Sequence, residues 1–106
     1  MKFYFVYILK CSDDSFYAGF TSNLDQRLAE HQMGKSAGYT SKRLPLELVW
    51  FEQFLDYPEQ AIQWEKRIKG WSRRKKQALI DGNWDNLILF SKNYAEYGNK
   101  IKRVED

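Results

Sequence analysis

The stretch FYFVYILKCSDDSFYAGF, residues 3–20, decides the fold. Residues 3–9 are aromatic, β-branched or leucine on both faces, which predicts a strand that is buried on both sides and central in its sheet. Residues 11–15 have the composition of a turn, and residues 16–20 predict the return strand. The chain therefore begins with a β-hairpin.

The loop of this hairpin decides whether its two tyrosines face the same side of the sheet. Tyr7 lies in Val-Tyr-Ile and Tyr17, ten residues later, begins Tyr-Ala-Gly. A two-residue turn would pair Lys10 with Tyr17 and put the two phenols on opposite faces, whereas a three-residue loop starting at Ser12 would pair Leu9 with Tyr17 and align them. Joint chemistry by the two tyrosines therefore requires an odd or bulged loop.

The remaining pattern predicts helices and one further strand. The predicted elements are a helix over 23–33 capped by Ser22, a loop over 34–44, a strand over 46–55, a long helix from Pro58, a helix over 72–80 and a short helix from Trp84. In the long helix, Ala61, Trp64, Ile68 and Trp71 have the spacing of a buried seam. We expect an α+β fold with a central three-stranded antiparallel sheet flanked by helices, in one domain over residues 1–90, followed by a C-terminal extension over 91–106 that is loose at its end.

Composition and charge narrow the class of protein. A chain of 106 residues that is 43% hydrophobic and 17% aromatic is typical of a packed globular domain, and its single cysteine, Cys11, excludes an internal disulfide framework. The apolar stretch at the amino terminus is too short to span a membrane and lacks the cleavage site of a secretory signal, so we expect a cytoplasmic protein with no membrane partner. The net charge is only +3, but cations crowd residues 66–76, either as a phosphate-facing patch or as a solvated helix face.

Arg27 and His31 follow the hairpin and lie four residues apart on one helical stripe. Two phenols, a guanidinium and an imidazole are the groups needed to move a proton and to bind the negative charge of a phosphodiester under attack. Taken singly, each group has an ordinary explanation. A strand tyrosine is usually a core residue, the alternative for Arg27 is a solvated helix arginine, and that for His31 is a surface histidine near a helix C-terminus.

At these residues the chain resembles the GIY-YIG nuclease superfamily, with Val6-Tyr7-Ile8 in the place of GIY and Tyr17-Ala18-Gly19 in the place of YIG. Arg27, His31, the Gly-Tyr-Thr of residues 38–40, Glu65 and the basic run of residues 71–76 follow in the family's order. The resemblance extends to about residue 87 and is greatest to small stand-alone bacterial predicted endonucleases. Val6 and Ala18 depart from the motif at packing positions, and every polar group is kept.

The resemblance implies the GIY-YIG fold and an endonuclease that uses a metal ion to hydrolyse DNA phosphodiester bonds. Tyr7 would be the base, and Tyr17 would position water or phosphate. Arg27 would stabilise the charge at phosphorus, while His31 would share proton transfer or bind phosphate. The alternative is a nucleic-acid-binding module of the same fold in which cleavage is weak or lost.

Glu65 would be the sole protein ligand of the metal, most simply Mg²⁺, with Mn²⁺ as the alternative. Its ordinary explanation is a salt bridge to Lys69, four residues later. The residues expected to contact nucleic acid are Lys35, Tyr39, Lys69, Arg73, Arg74 and Lys76. We expect DNA as the partner, with RNA left open, in DNA repair or recombination. A chain this short would take its specificity from the domain itself, from a second copy or from a partner protein. We expect Cys11 and the tryptophans at positions 64, 71 and 84 to be packing residues.

Overall fold

A computed structural model describes residues 1–35, 38–83 and 85, which form three strands and four helices. The elements in chain order are β1 (Phe3–Lys10), β2 (Phe16–Thr21), α1 (Leu24–Gln32), α2 (Gly38–Ser41), β3 (Glu47–Leu55), α3 (Pro58–Lys69) and α4 (Arg73–Asp81). The chain divides into two units, Met1–Gly70 and Trp71–Asp106, and each is described by itself. The predicted helix from Trp84 and the predicted extension over 91–106 lie outside the described residues, and the domain boundary at residue 90 stays a prediction.

The three strands form one antiparallel sheet in the order β2-β1-β3, which confirms the predicted fold class and the central place of β1. Both faces of β1 are covered, because Val6, Tyr7, Ile8 and Leu9 are each at most 1% exposed. One side carries a cluster of Tyr7, Leu9, Cys11 and Leu46, and against it pack Tyr17, Leu24, Leu28 and Leu48. α1 therefore covers the sheet face that carries both tyrosines, and Cys11 is a packing residue as expected.

The hairpin has the three-residue loop that aligns the two phenols. Leu9 pairs with Tyr17, and Tyr7 pairs with Gly19. The Cys11 amide donates to the Ser15 carbonyl over 2.9 Å, which closes the loop, and the residue before Ser15, Asp14, has a left-handed φ of 69°. A left-handed third residue is what a three-residue hairpin loop requires. Tyr7 and Tyr17 therefore project from the same face.

α1 begins one residue later than predicted, because Asn23 and not Ser22 is its N-cap. The Asn23 side chain accepts a hydrogen bond from the Gln26 amide over 3.1 Å, and Thr21 Oγ1 accepts one from the Asn23 amide over 3.0 Å. Asparagine ranks with serine at this position. Here the hydroxyl at the end of β2 orients the backbone so that residue 23 makes the cap.

The predicted loop over 34–44 contains the single-turn helix α2, so that part of the prediction was wrong. Its buried residue is Thr40, which is 0% exposed. The turn is stabilised by the hydrogen bond between Thr40 and His31, which lie nine residues apart in the sequence. Local helix propensity therefore does not predict it.

α3 starts at Pro58, as predicted, and packs against all three strands. Ala61 and Ile68 are fully buried, but Trp64 is 38% exposed, so its predicted place in the buried seam was wrong. The Arg67 guanidinium carbon lies 5.6 Å from a Trp64 ring centroid. A cation over an aromatic face gives the indole a partner at the surface.

The second unit contains α4. Ser72 is its N-cap, as expected, and its hydroxyl accepts from the Lys75 amide over 3.2 Å, while Gly82 ends the helix with φ 69°. Ala78 and Leu79 are buried. Lys75 is buried too, with its Nζ 4.2 Å from a Trp71 ring centroid, so the cations of residues 66–76 do not form one exposed face.

Candidate active site

Tyr7 is the buried centre of the site. It lies opposite Gly19, and a methyl group built at residue 19 would overlap the Tyr7 hydroxyl oxygen and Cζ and lie 2.9 Å from Cε1. The phenol therefore crosses β2 over the glycine. It ends in a 2.9 Å hydrogen bond between the Tyr7 hydroxyl and His31 Nε2.

His31 brings the two tyrosines together. Its ring centroid lies 5.8 Å from that of Tyr7 and 5.6 Å from that of Tyr17, and both contacts are edge-to-face. The imidazole is buried in the last turn of α1, so the alternative of a surface histidine was wrong. On its other side, His31 Nδ1 is hydrogen-bonded to Thr40 Oγ1 over 3.0 Å.

The electrostatics keep the buried pair neutral near pH 7. Burial raises the pKa of Tyr7 from 10.0 to about 12; the Tyr17 phenol and the Glu65 carboxylate also raise it, whereas the charge and a hydrogen bond of Arg27 lower it. Burial, followed by the Arg27 charge, lowers the pKa of His31, and Glu30 opposes this. Tyr7 is thus a phenol that holds its proton, beside an unprotonated imidazole.

Arg27 lies at the solvent side of this pair. Its side chain is 39% exposed, and Nε is 3.2 Å from Glu30 Oε1, three residues later on α1. The same guanidinium acts on the pKa of both Tyr7 and His31, so it faces the site. An arginine held between solvent and a buried phenol can meet an incoming anion.

Glu65 has the carboxylate that could hold a cation. Its side chain is 18% exposed and its Oε2 is 2.8 Å from Lys69 Nζ, so the salt bridge considered from the sequence is present. Within residues 1–35, 38–83 and 85, no three His, Cys, Asp or Glu side chains are grouped around one metal position. A lone carboxylate suits Mg²⁺, which keeps most of its waters and often binds through one carboxylate and substrate phosphates. The influence of Glu65 on the pKa of Tyr7 puts that carboxylate within electrostatic reach of the phenol.

The family model of the GIY-YIG catalytic domain matches residues 3–78, a span that includes Tyr7, Tyr17, Arg27, His31 and Glu65. The chain belongs to the GIY-YIG family. It is similar to the UPF0213 protein of Natronomonas pharaonis, with 46% identity over 77 residues that cover 73% of this chain and 89% of that protein. It is also similar to the UPF0213 protein of Halalkalibacterium halodurans, with 44% identity over 91 residues that cover 83% of this chain and 96% of that one.

Two solution NMR structures share this GIY-YIG fold. One is of a UPF0213 protein of Bacillus halodurans, with a TM-score of 0.51 and 41% identity over 79% of this chain and 92% of the other. The second is of a protein of E. faecalis, with a TM-score of 0.54 and 32% identity over 77% of this chain and 86% of the other. Among the described residues, no helix has the length and apolar character to cross a bilayer.

A second layer of contacts extends the GIY-YIG site outward from Tyr17. The Tyr39 ring stacks on Tyr17 with centroids 6.0 Å apart, and the Arg43 guanidinium carbon lies 3.8 Å from the Tyr39 centroid. Arg43 Nε is 2.9 Å from Asp13 Oδ2, and its Nη1 donates to the Tyr39 carbonyl over 2.8 Å. Hydrogen bonds from Ser15, and then Arg43, hold the pKa of Asp13 below its usual value. Arg43 therefore ties the hairpin loop to α2.

Sequence reasoning missed Thr40 and Arg43 as parts of the site. In the sequence, Thr40 is recognisable only as part of the Gly-Tyr-Thr match. Its partner His31 lies nine residues away, and the sequence predicts no contact between them. Arg43 lies in a segment predicted to be loop, and its partner Asp13 is thirty residues away. The spacing of these pairs follows no helical or strand period, so no sequence signal joins them.

The residues predicted to bind nucleic acid belong to several segments in both units. Lys35 is exposed just after α1, and Tyr39 is exposed beside Tyr17. Lys69 pairs with Glu65. Arg73 and Arg74 are exposed on α4 in the second unit, and Lys76 there is half-buried, with its pKa lowered by burial and then by Arg73. Contact of these residues with nucleic acid stays a prediction.

Proposed function

We propose that this protein is a metal-dependent endonuclease that hydrolyses DNA phosphodiester bonds. The observation that carries the proposal is the meeting of Tyr7, Tyr17 and His31 on one face of the sheet, with Arg27 beside them. A phenol and an imidazole in contact, with a guanidinium beside them, supply proton transfer and anion stabilisation together. These polar groups are not needed to hold a small sheet together, since apolar residues would fill the same space.

The first step is removal of a proton from the attacking water. A phenol with a pKa of about 12 is rarely ionised near pH 7, so Tyr7 does not wait as a phenolate. Instead, its oxygen takes the proton of the water while its own proton moves to His31 Nε2, 2.9 Å away. The water oxygen forms the bond to phosphorus, Tyr7 ends as a phenol again, and His31 ends as an imidazolium.

Arg27 and Tyr17 act on the phosphate. As water attacks, negative charge grows on the non-bridging oxygens, and the guanidinium of Arg27 donates to them. The Tyr17 ring is held between His31 and Tyr39, so its hydroxyl has a fixed direction from which to orient the phosphate or the water. The bond from phosphorus to the leaving oxygen then breaks, and that oxygen takes a proton from solvent.

Mg²⁺ would be held by the Glu65 carboxylate, with water and phosphate oxygens as its other ligands. When bound, the ion would neutralise charge on the phosphate and on the leaving oxygen. The Lys69 ammonium, 2.8 Å from Glu65, keeps the carboxylate neutralised and oriented without it.

The substrate class is DNA, and the role we propose is DNA repair or recombination in the cytoplasm. RNA has the same phosphodiester and enters the test as a competing substrate. Specificity for one DNA structure would come from the domain, from a second copy or from a partner protein.

The test is cleavage of supercoiled, branched and single-stranded DNA and of RNA by the purified protein, with Mg²⁺, Mn²⁺ or a chelator. We expect cleavage that the chelator abolishes and that falls at least about 100-fold in Arg27→Ala and in Glu65→Gln. Glu59→Gln, at an exposed carboxylate in the first turn of the same helix, is the matched control and should cut normally. Circular dichroism shows whether each variant is folded.

A binding module is the second candidate, and the Glu65 to Lys69 salt bridge favours it, because that pair gives the carboxylate a role without metal. This candidate predicts salt-dependent binding to DNA with no cutting in either metal. Uncut substrates together with retained DNA binding would replace the endonuclease by the module.

A further inference from the structure

Thr40 makes the contact at the far end of the buried hydrogen-bonded chain. The chain runs from the Tyr7 hydroxyl to His31 Nε2 over 2.9 Å and from His31 Nδ1 to Thr40 Oγ1 over 3.0 Å. His31 and Thr40 are at most 1% exposed, so water does not compete for the bond between them. A neutral imidazole has one nitrogen that donates and one that accepts, and the partner of one nitrogen decides the role of the other.

The surroundings of Tyr7 select one of the two arrangements. His31 has two buried hydroxyl partners, and the Tyr7 phenol is a stronger acid than the aliphatic hydroxyl of Thr40, so the phenol donates its proton to His31 Nε2. Nε2 must then be the accepting nitrogen, and Nδ1 must carry the proton. That proton needs a buried acceptor, and Thr40 Oγ1 is in place to be one. In the opposite tautomer, Nε2 would carry the ring proton and would have no lone pair for the Tyr7 proton.

We infer that Thr40 is a positioning residue of the reaction: it holds His31 in the Nδ1–H tautomer, which keeps the Nε2 lone pair on the Tyr7 hydroxyl. This inference rests on the proposed nuclease function for its kinetic consequence. Its structural content, the tautomer, stands apart from that function. Thr40 is 0% exposed, so it acts on the reaction through its contact with His31 and not by touching the substrate.

The chain offers a clean measurement, because His31 is its only histidine. A long-range ¹H–¹⁵N correlation spectrum of the ¹⁵N-labelled protein therefore shows one imidazole. It is recorded near pH 8, where the lowered pKa of His31 leaves the ring neutral. We expect Nδ1 with the shift of a protonated nitrogen and Nε2 with that of an unprotonated one. An Nε2–H tautomer in the wild-type protein would overturn the inference at once.

Three variants test the role of the hydroxyl. Thr40→Val removes the acceptor with little change of shape, and we expect His31 to shift to the Nε2–H tautomer, because a buried Nδ1–H would have lost its partner. Thr40→Ser keeps the hydroxyl and should keep the wild-type spectrum. Thr21→Val is the matched control, since Thr21 is buried and its hydroxyl is 3.2 Å from the Asn23 carbonyl rather than beside the imidazole. It should leave the tautomer unchanged.

The rates of cleavage by the Thr40 variants should follow their tautomers. In Thr40→Val we expect kcat to fall about 10- to 100-fold with KM nearly unchanged, as for loss of a partner that orients a functional histidine. Thr40→Ser should recover most of the rate. A wild-type tautomer in Thr40→Val, or a Thr40→Ser variant as slow as the valine variant, would overturn the inference.

The two proposals fail in different ways. If the wild-type protein cuts no substrate, the nuclease function fails, and the spectrum of Thr40→Val, compared with those of the wild-type and Thr40→Ser proteins, still decides whether Thr40 sets the tautomer. If Thr40→Val does not fold, the same two spectra decide the assignment, and the rate of Thr40→Ser decides its kinetic part.

Discussion

Substitution of Gly19 by alanine tests the central claim about how Tyr7 is placed. A methyl group at residue 19 would overlap the Tyr7 hydroxyl oxygen and Cζ and would lie 2.9 Å from Cε1, so the ring must move by about 1 Å. Tyr7 is buried and hydrogen-bonded to His31, so no free space receives it. Overpacking of this kind costs about 1–3 kcal/mol, and loss of the Tyr7 to His31 hydrogen bond adds about 1 kcal/mol.

The gain from replacing a flexible glycine, about 0.4–1 kcal/mol, offsets part of that cost. We therefore expect Gly19→Ala to lower the free energy of unfolding by about 2 kcal/mol, which is on the order of 10 °C in Tm for a domain of this size. Cleavage should fall about 100-fold, since a 1 Å misplacement near the reacting atoms costs about that much. Thermal unfolding and single-turnover cleavage measure the two effects.

Two comparisons isolate the clash. Gly38→Ala is the matched control, because a methyl group there meets nothing within 4 Å; it should leave the rate unchanged and raise stability by at most about 1 kcal/mol. Tyr7→Leu removes the atoms that residue 19 would strike. In that background, Gly19→Ala should cost nothing or stabilise the protein. An equal loss of stability in both backgrounds would refute the argument that the glycine is required by the Tyr7 ring.

Three further predictions concern charge. Because the pKa of Tyr7 is raised from 10.0 to about 12, its contribution is full below pH 10, and about 3 kcal/mol of stability is lost as the pH rises toward 12; denaturant titrations should show this loss in the wild-type protein and not in Tyr7→Phe. The pKa of His31 is lowered below its usual 6.5, so stability is full above that pH and falls as the pH drops below it, and cleavage, which needs the neutral imidazole, should begin to fall only below pH 6.5; a pH-rate profile whose acid limb has its midpoint above pH 6.5 would contradict this. Glu65→Gln should abolish binding of Mg²⁺ measured by calorimetry, whereas Glu59→Gln should retain it, and equal binding by both would exclude Glu65 as the ligand.

The sheet was predictable because its signals are local. The apolar run of β1 and the turn residues after it are sufficient to predict the hairpin, whereas the sequence left open whether the loop has two or three residues and required an odd or bulged loop only if both phenols act together. The structure has that loop. Prediction was less accurate at Ser22 and Asn23, where either side chain can cap a helix and only the hydroxyl of Thr21 decides between them.

The outer contacts of the site, which Thr40 and Arg43 make, were not predictable, because they join distant segments. α2 is a single turn in a stretch rich in glycine, serine and lysine, and its place depends on the bond between Thr40 and His31. The prediction that Trp64 is buried was wrong for a related reason. Its spacing matches the buried seam of α3, but Arg67 gives the ring a partner at the surface. Helical period identifies the candidates for a buried face but not how wide that face is.

The two tyrosine tripeptides act together through the register of the hairpin. With a three-residue loop, the hairpin sets Tyr17 opposite Leu9 and Gly19 opposite Tyr7. The first pairing puts the two phenols on one face, and the second removes the side chain that would block the Tyr7 ring from reaching His31. A loop shorter by one residue would pair Lys10 with Tyr17 and lose both effects together. Spacing, loop length and glycine are therefore one requirement, because the proton of Tyr7 can reach the imidazole only when all three hold.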